Sequence, residues 1–223
     1  MLKRLDFNGN PYLGVLSQVS DTLAVLAPDA DDELVKEYSE CFGAPVVRTT
    51  LGGSRVVGSL CAINSSGIVV TGFATDEEME AIRRVGPPGM RILRLPDKLN
   101  AVGNNVLVND RAALVHPDLG RASVRRLADA LDVEVVKGTV AGMKTVGSAA
   151  VVTAKGVLCH PRASAAEKKV LREVFGVPVT VGTANYGSPM VGACVVANSR
   201  GIAAGTTSTG IELGRMEEAL GFL

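Results

Sequence analysis

Nucleophilic chemistry needs a thiol or hydroxyl, a base within hydrogen-bond reach and a group that orients the base. The chain offers the thiols Cys41, Cys61, Cys159 and Cys194 and the imidazoles His116 and His160. Cys194 follows Gly192 by two residues inside an apolar stretch, and Cys61 follows Gly58 by three. A thiol so placed behaves as a small hydrophobe, and carboxylates near the strand ends that could clamp a cationic substrate are scarce. Two histidines and scattered cysteines form no metal set, so neither metal nor other cofactor is expected. The segment Gly142-Met143-Lys144-Thr145 has the outline of a phosphate loop, but it lacks a glycine directly before the lysine and a strand-to-helix setting. Ala197-Asn198-Ser199-Arg200-Gly201 has the outline of a nucleophile elbow, yet Asn64-Ser65-Ser66-Gly67 occupies the same place as a plain hairpin turn.

The elements that would position these groups repeat. Gly14, Gly58, Gly103, Gly147 and Gly192 follow one another at 44, 45, 44 and 45 residues. Val57-Gly58-Ser59-Leu60-Cys61, Val102-Gly103-Asn104-Asn105-Val106, Val146-Gly147-Ser148-Ala149-Ala150 and Val191-Gly192-Ala193-Cys194-Val195 share one pattern, and Leu13-Gly14-Val15-Leu16-Ser17 is a more degraded copy. A period of this length marks supersecondary units that bury a core only in company, which makes residues 1–223 one domain. His116-Pro117 and His160-Pro161 stand at one phase of the period, where other units carry Thr71-Gly72 and Gly205-Thr206. A strand-to-helix corner is expected there, with the histidines filling a structural position.

Composition narrows the function classes. Lys plus Arg equals Asp plus Glu at 23 each, which excludes a generally basic surface and leaves only local contact with nucleic acid. With 4% aromatics and no tryptophan there is little material for base stacking, so DNA and open single-stranded RNA are not expected partners. No apolar run suits a membrane span, the charged start Met1-Leu2-Lys3-Arg4 is no signal peptide, and unpaired cysteines suit a cytoplasmic chain.

Each unit reads as ββαβ. An apolar run follows the marker glycine, a turn with Gly67, Gly156 or Gly201 comes nine residues after it, and a second apolar run closes a hairpin. A helix follows, opened by the capping boxes Thr75/Glu78, Ser164/Glu167 and Thr209/Glu212 and carrying an apolar stripe such as Leu171, Val174 and Phe175. A third strand ends the unit at Val46-Val47, Arg91 to Leu93, Val133 to Val136 and Val177 to Thr180. The repeats fall at approximately 8–50, 51–95, 96–138, 139–182 and 183–223. The fifth lacks a third strand, and residues 1–7 stand at the right distance before Gly14 to supply it. The predicted fold is a closed α/β ring of five units, which removes exposed sheet edges.

A fivefold pseudosymmetric β/α propeller of ββαβ repeats, closed by the N-terminal strand, resembles the pentein fold. Ala112 to Leu119, Leu131 to Val135, Val181 to Ser188 and Gly205 to Leu213 resemble the translation initiation factor 6 family, and the resemblance runs the whole length. It implies a monomeric, non-enzymatic factor of archaeal type that binds the large (50S) ribosomal subunit, at ribosomal proteins and rRNA near the sarcin–ricin loop. Bound there it blocks small-subunit joining by occupying space, and a role in large-subunit biogenesis accompanies this. The resemblance places Asn104 at the ribosome contact, with Asn105 beside it. Asn8, Asn10, Ser54, Arg55, Asn185 and Ser188 stand in the loops that precede the marker glycines and are the further candidates for that rim. Ser59 departs from the basic residue eukaryotic relatives carry after this glycine. The alternative is a guanidine-modifying hydrolase of the same fold, with Cys194 in the central channel.

Overall fold

The computed structural model describes residues 1–223. The sequence predicts a strand from each marker glycine onward, because the residues there are apolar and often β-branched. The structure instead folds each marker glycine, the residue before it and the two after it into a single helical turn: Leu13–Leu16, Val57–Leu60, Val102–Asn105, Val146–Ala149 and Val191–Cys194. Cys194 is therefore the last residue of a turn rather than a strand residue. Tertiary contact overrides β propensity here, since each turn packs against the next around the ring and Leu13–Leu16 packs against Val191–Cys194.

The marker glycines explain how closely these hub turns meet. A Cβ at Gly58 would overlap the carbonyl oxygen of Gly14. The same holds for Gly103 against Gly58, Gly147 against Gly103, Gly192 against Gly147 and Gly14 against Gly192. The five contacts form a closed cycle at one end of the molecule.

From the hub the chain enters an inner strand: Ser17–Val19, Cys61–Ile63, Val106–Val108, Ala150–Val152 or Val195–Ala197. The inner strand pairs antiparallel with a middle strand, as in Cys61↔Val70, Ala62↔Val69 and Ile63↔Ile68. A long helix, Asp32–Phe42, Asp76–Val85, Arg121–Leu131, Ala165–Phe175 or Gly210–Leu220, then leads to an outer strand. The outer strand pairs parallel with the middle one, so each sheet has three strands with the middle strand central. In the fifth sheet Leu2–Leu5 takes the outer position, parallel to Ile202–Gly205 in the register Leu2↔Ile202 to Leu5↔Gly205. The N-terminal segment thus closes the ring as expected, and the Met1 ammonium donates to the Arg200 carbonyl at 3.0 Å.

Five apolar clusters form the core, and every one lies between two repeats. Leu34, Tyr38 and Phe42 of the first repeat pack with Val196 and Ala203 of the fifth. Leu107 and Leu114 of the third pack with Leu171 and Phe175 of the fourth. The hairpin turns at the end opposite the hub are held by the same logic. Asn64 accepts the Ser66 and Gly67 amides with Oδ1 and donates through Nδ2 to Leu131 O at 2.7 Å, at the end of the next repeat's helix. Asn198 does the same toward Phe42 O at 2.9 Å. Gly67, Gly156 and Gly201 have no left-handed backbone. A Cβ at each would overlap the carbonyl of Ala130, Ala219 or Cys41, so close approach between repeats, not turn geometry, requires glycine there.

Gly103→Ala is expected to lower the free energy of unfolding by the upper part of the ~1–3 kcal/mol range for overpacking, because the obstacle is backbone. Gly214 lies inside the last long helix, and the space a Cβ would take there is open. Its change to Ala should therefore raise stability by roughly 0.5–1 kcal/mol. Denaturant titration of both variants checks the pair; equal effects would contradict the hub geometry.

Candidate functional site

At the hub end, each outer strand turns sharply into a hub turn, and these five connections form a rim. Three are closed by a backbone bridge between residues three apart: Phe7 and Asn10, Leu51 and Ser54, Val140 and Met143. In the fifth the bridge joins Ala184 and Ser188, so the turn holds one residue more. The third has no bridge and is organised by Asp97, which accepts from the Leu99 amide at 3.0 Å and from the Ser123 hydroxyl at 2.5 Å.

The long helices begin at this end, and their capping glutamates hold the rim. Glu78 accepts from the Thr50 hydroxyl at 2.5 Å and from the Gly52 and Gly53 amides at 2.7 and 2.9 Å, besides the Thr75 amide of its own capping box. Glu167 accepts from the Thr139 hydroxyl and the Gly142 amide, and Glu212 from Thr183, Tyr186 and Gly187. One carboxylate thus fastens a helix start and a rim turn together. Burial alone raises the pKa of these groups, but the donated hydrogen bonds outweigh it. Glu78 and Glu212 lie below the ordinary value of 4.5, and Glu167 falls to about 2. The capping boxes were legible in the sequence; the second task of each glutamate was not, because nothing in spacing links Glu78 to Gly52.

Most of the predicted residues meet on this rim. Asn8, Asn10 and Arg55 are exposed there, and Ser54, Asn185 and Ser188 are half-buried. Asn8 has a left-handed backbone (φ 53°), Asn10 accepts the Tyr12 amide at 3.0 Å, and Arg55 pairs with Asp29. Asn185 donates to Pro11 O at 2.8 Å, which ties the fifth rim turn to the first. Asn104 is half-buried in its hub turn. Asn105 is 4% exposed, its Nδ2 donates to Leu99 O and its carbonyl accepts the His116 amide, so it faces inward and is satisfied by its own chain.

The groups that could do covalent chemistry are not assembled. Burial pushes the thiols of Cys41 and Cys159 up to about 11 and that of Cys61 up to about 12; it raises Cys194 as well, with hydrogen bonding to Ser188 and Asn185 acting the other way. His116 and His160 sit at strand-to-helix corners, where Nδ1 accepts the Asp118 amide at 3.1 Å and the Arg162 amide at 3.0 Å. Burial lowers the His160 pKa, with the Arg162 charge acting in the same direction. The axial channel is a cavity of about 50 Å³ lined chiefly by apolar inner-strand residues such as Ile63, Val108 and Val152. No cysteine, histidine or carboxylate lines it, so it presents no group to clamp or attack a guanidinium.

The rim is chemically two-sided. Lys98, Arg121, Lys144 and Arg162 are exposed in the third and fourth repeats, with Lys144 paired to Asp118 at 2.5 Å. Residues 5–14, 183–194 and 205–214, which build the rim of the first and fifth repeats, contain no lysine or arginine. Exposed apolar side chains gather there instead: Tyr12, Tyr186 and Ile211, with Phe73 beside the second rim turn. Composition concealed them, because a low aromatic content says nothing about where the few aromatics stand. No helix is long and apolar enough to cross a membrane.

The eIF-6 family profile matches residues 2–219. The chain is 47% identical over 220 residues to translation initiation factor 6 of Natronomonas pharaonis, with 99% of each chain covered. It is 45% identical over 223 residues to that of Methanocella arvoryzae, covering 100% of this chain and 99% of the relative. It is also 45% identical over 224 residues to that of Methanosarcina mazei, covering 100% of both.

The rim carboxylates set a pH dependence. Their folded pKa values lie below the ordinary 4.5, so the stability they contribute is fully present above that value and is lost as pH falls toward about 2, where Glu167 itself titrates. Denaturant titrations across this window should give a falling stability for the wild type and a shallower fall for Glu167→Gln. A wild-type stability that is flat between these values would contradict the assignment.

Proposed function

The chain belongs to the eIF-6 family, and on that premise we propose that it binds the large ribosomal subunit and keeps the small subunit from joining it. The site is the hub-end rim, the partners are ribosomal proteins and rRNA near the sarcin–ricin loop, and the mechanism is steric. A part in large-subunit maturation in the cytoplasm belongs to the same reading.

The observation that carries this reading is a rigid rim with two kinds of surface. The turns cannot move independently, because Glu78, Glu167 and Glu212 lock three of them to long helices and Asn185 joins two neighbours. A particle built of protein and RNA presents both apolar and phosphate surfaces. The basic arc at Lys98, Arg121, Lys144 and Arg162 complements phosphates locally, while an overall charge balance of 23 against 23 limits non-specific attachment to RNA. Blocking by occupied space needs no catalytic group, only a wedge that does not deform. Within the rim, Asn104, Asn8, Asn10, Ser54, Arg55, Asn185 and Ser188 are the proposed contacts; Asn105 is buried and its side chain holds the Leu99 carbonyl instead.

Sedimentation with purified ribosomal subunits tests this. The chain should travel with large subunits and not with small ones, and adding it before mixing should reduce the joined particle. Asn104→Ser should weaken large-subunit binding about tenfold, near 1.4 kcal/mol, with no change in thermal midpoint, since no side-chain hydrogen bond within the chain is lost. Joined particles that form undiminished in the presence of bound chain would refute the steric mechanism.

A further inference from the structure

The fifth rim turn differs from its bridged counterparts by one residue, and that turn displays Tyr186. Asn185, Tyr186 and Gly187 all have left-handed backbones, at φ 49°, 61° and 96°. A bulky side chain is rarely tolerated in this region, which suits glycine. The first, second and fourth turns place two residues each in it, Asn8 and Gly9, Gly52 and Gly53, and Ala141 and Gly142, none of them bulky. What holds the fifth turn is backbone and Asn185: the Tyr186 and Gly187 amides donate to Glu212 at 3.2 and 2.8 Å, and the Asn185 amide to the Ser208 hydroxyl at 2.9 Å. The tyrosine ring takes no part, for Tyr186 is 82% exposed. A strained backbone that presents an aromatic side chain to solvent serves something outside the fold.

Its surroundings indicate what. The chain has eight aromatic residues, three Tyr and five Phe. Phe7, Tyr38, Phe42 and Phe175 are buried, and Phe222 packs under Lys155. The three exposed ones, Tyr12, Phe73 and Tyr186, all stand at the rim end. Tyr12 is brought beside the fifth turn by the bond from Asn185 to Pro11, and Ile211, 89% exposed, precedes the glutamate that holds Tyr186. No basic residue lies in the three segments that build this arc, so phosphates find no partner there. Exposed aromatic and aliphatic residues in a setting without lysine or arginine, where the carboxylates Asp6 and Glu212 are engaged by the chain's own donors, have the composition of the anchor at the centre of a protein–protein interface.

We propose that Tyr186, with Tyr12 and Ile211 beside it, anchors the rim to a protein component of its partner, at an apolar surface that carries no charge at its centre. The inference rests on the reading that the partner is the large ribosomal subunit, and it assigns RNA contact to the opposite, basic arc. The test is affinity for purified large subunits at low and high salt, for wild type, Tyr186→Gly and Tyr186→Phe, with thermal midpoints of each. Tyr186→Gly should bind at least about tenfold more weakly at both salt concentrations, while its midpoint stays equal or rises because glycine relieves the left-handed backbone. Tyr186→Phe should bind as the wild type does. Equal binding by Tyr186→Gly, a lowered midpoint that accounts for its loss, or a loss retained on protein-free rRNA would overturn the inference while leaving the functional reading intact. A wild type that fails to bind large subunits would overturn both.

Discussion

Backbone contact at the hub is the constraint on which the rest of the molecule depends. Each marker glycine lies against the carbonyl oxygen of the one before it, and Gly14 lies against Gly192, leaving no space for even a methyl group. Five helical turns can meet this closely only if none carries a side chain at that point. Once they do, the inner strands are drawn around a narrow axis, and the hairpins splay outward from it. The apolar faces so produced have no partner within their own repeat. They find one in the neighbour, which is why all five clusters straddle a junction and why Leu2–Leu5 must return to complete the fifth sheet.

A second constraint acts one layer further out. The capping box satisfies free amides at a helix start, and on this chain its glutamate has spare acceptor capacity. Three repeats direct it to the adjacent rim turn, so a local feature of helix chemistry becomes a tether between long helix and rim. The third repeat reaches the same end with the parts reversed: the carboxylate comes from the turn, at Asp97, and the hydroxyl from the helix, at Ser123. Rigidity at the rim is thus distributed over four repeats rather than placed in one loop. That suits a protein proposed to act by holding space against a much larger body.

The ring and its closure were legible because period is a property of the whole chain and survives local irregularity. The ββαβ order, the capping boxes and the outer strands followed from it. The hub turns were not legible, since Val57-Gly58-Ser59-Leu60 has the composition of a strand and only contact with neighbouring copies makes it helical. The hairpin glycines carried the right signal for a different reason, being required by the helix ends of the next repeat. For the proposed contacts, phase within the period singled out Asn8, Asn10, Ser54, Arg55, Asn185 and Ser188, which lie together in or beside the rim turns. It could not separate half-buried Asn104 from buried Asn105, which are adjacent and chemically identical. Nor could it register the exposed aromatics. The extra residue in the Ala184–Ser188 turn is a one-residue difference, and what makes it informative is the sign of φ.

The central claim is that one end of a rigid ring does the work. Hydrogen exchange of the chain, free and bound to purified large subunits, tests it most directly. Binding should slow exchange in the rim turns around Asn8, Gly53, Lys98, Gly142 and Tyr186, and leave the opposite hairpin turns around Ser65, Lys155 and Ser199 unchanged. Protection of the hairpin end, or of the long helices with the rim left unprotected, would contradict the account.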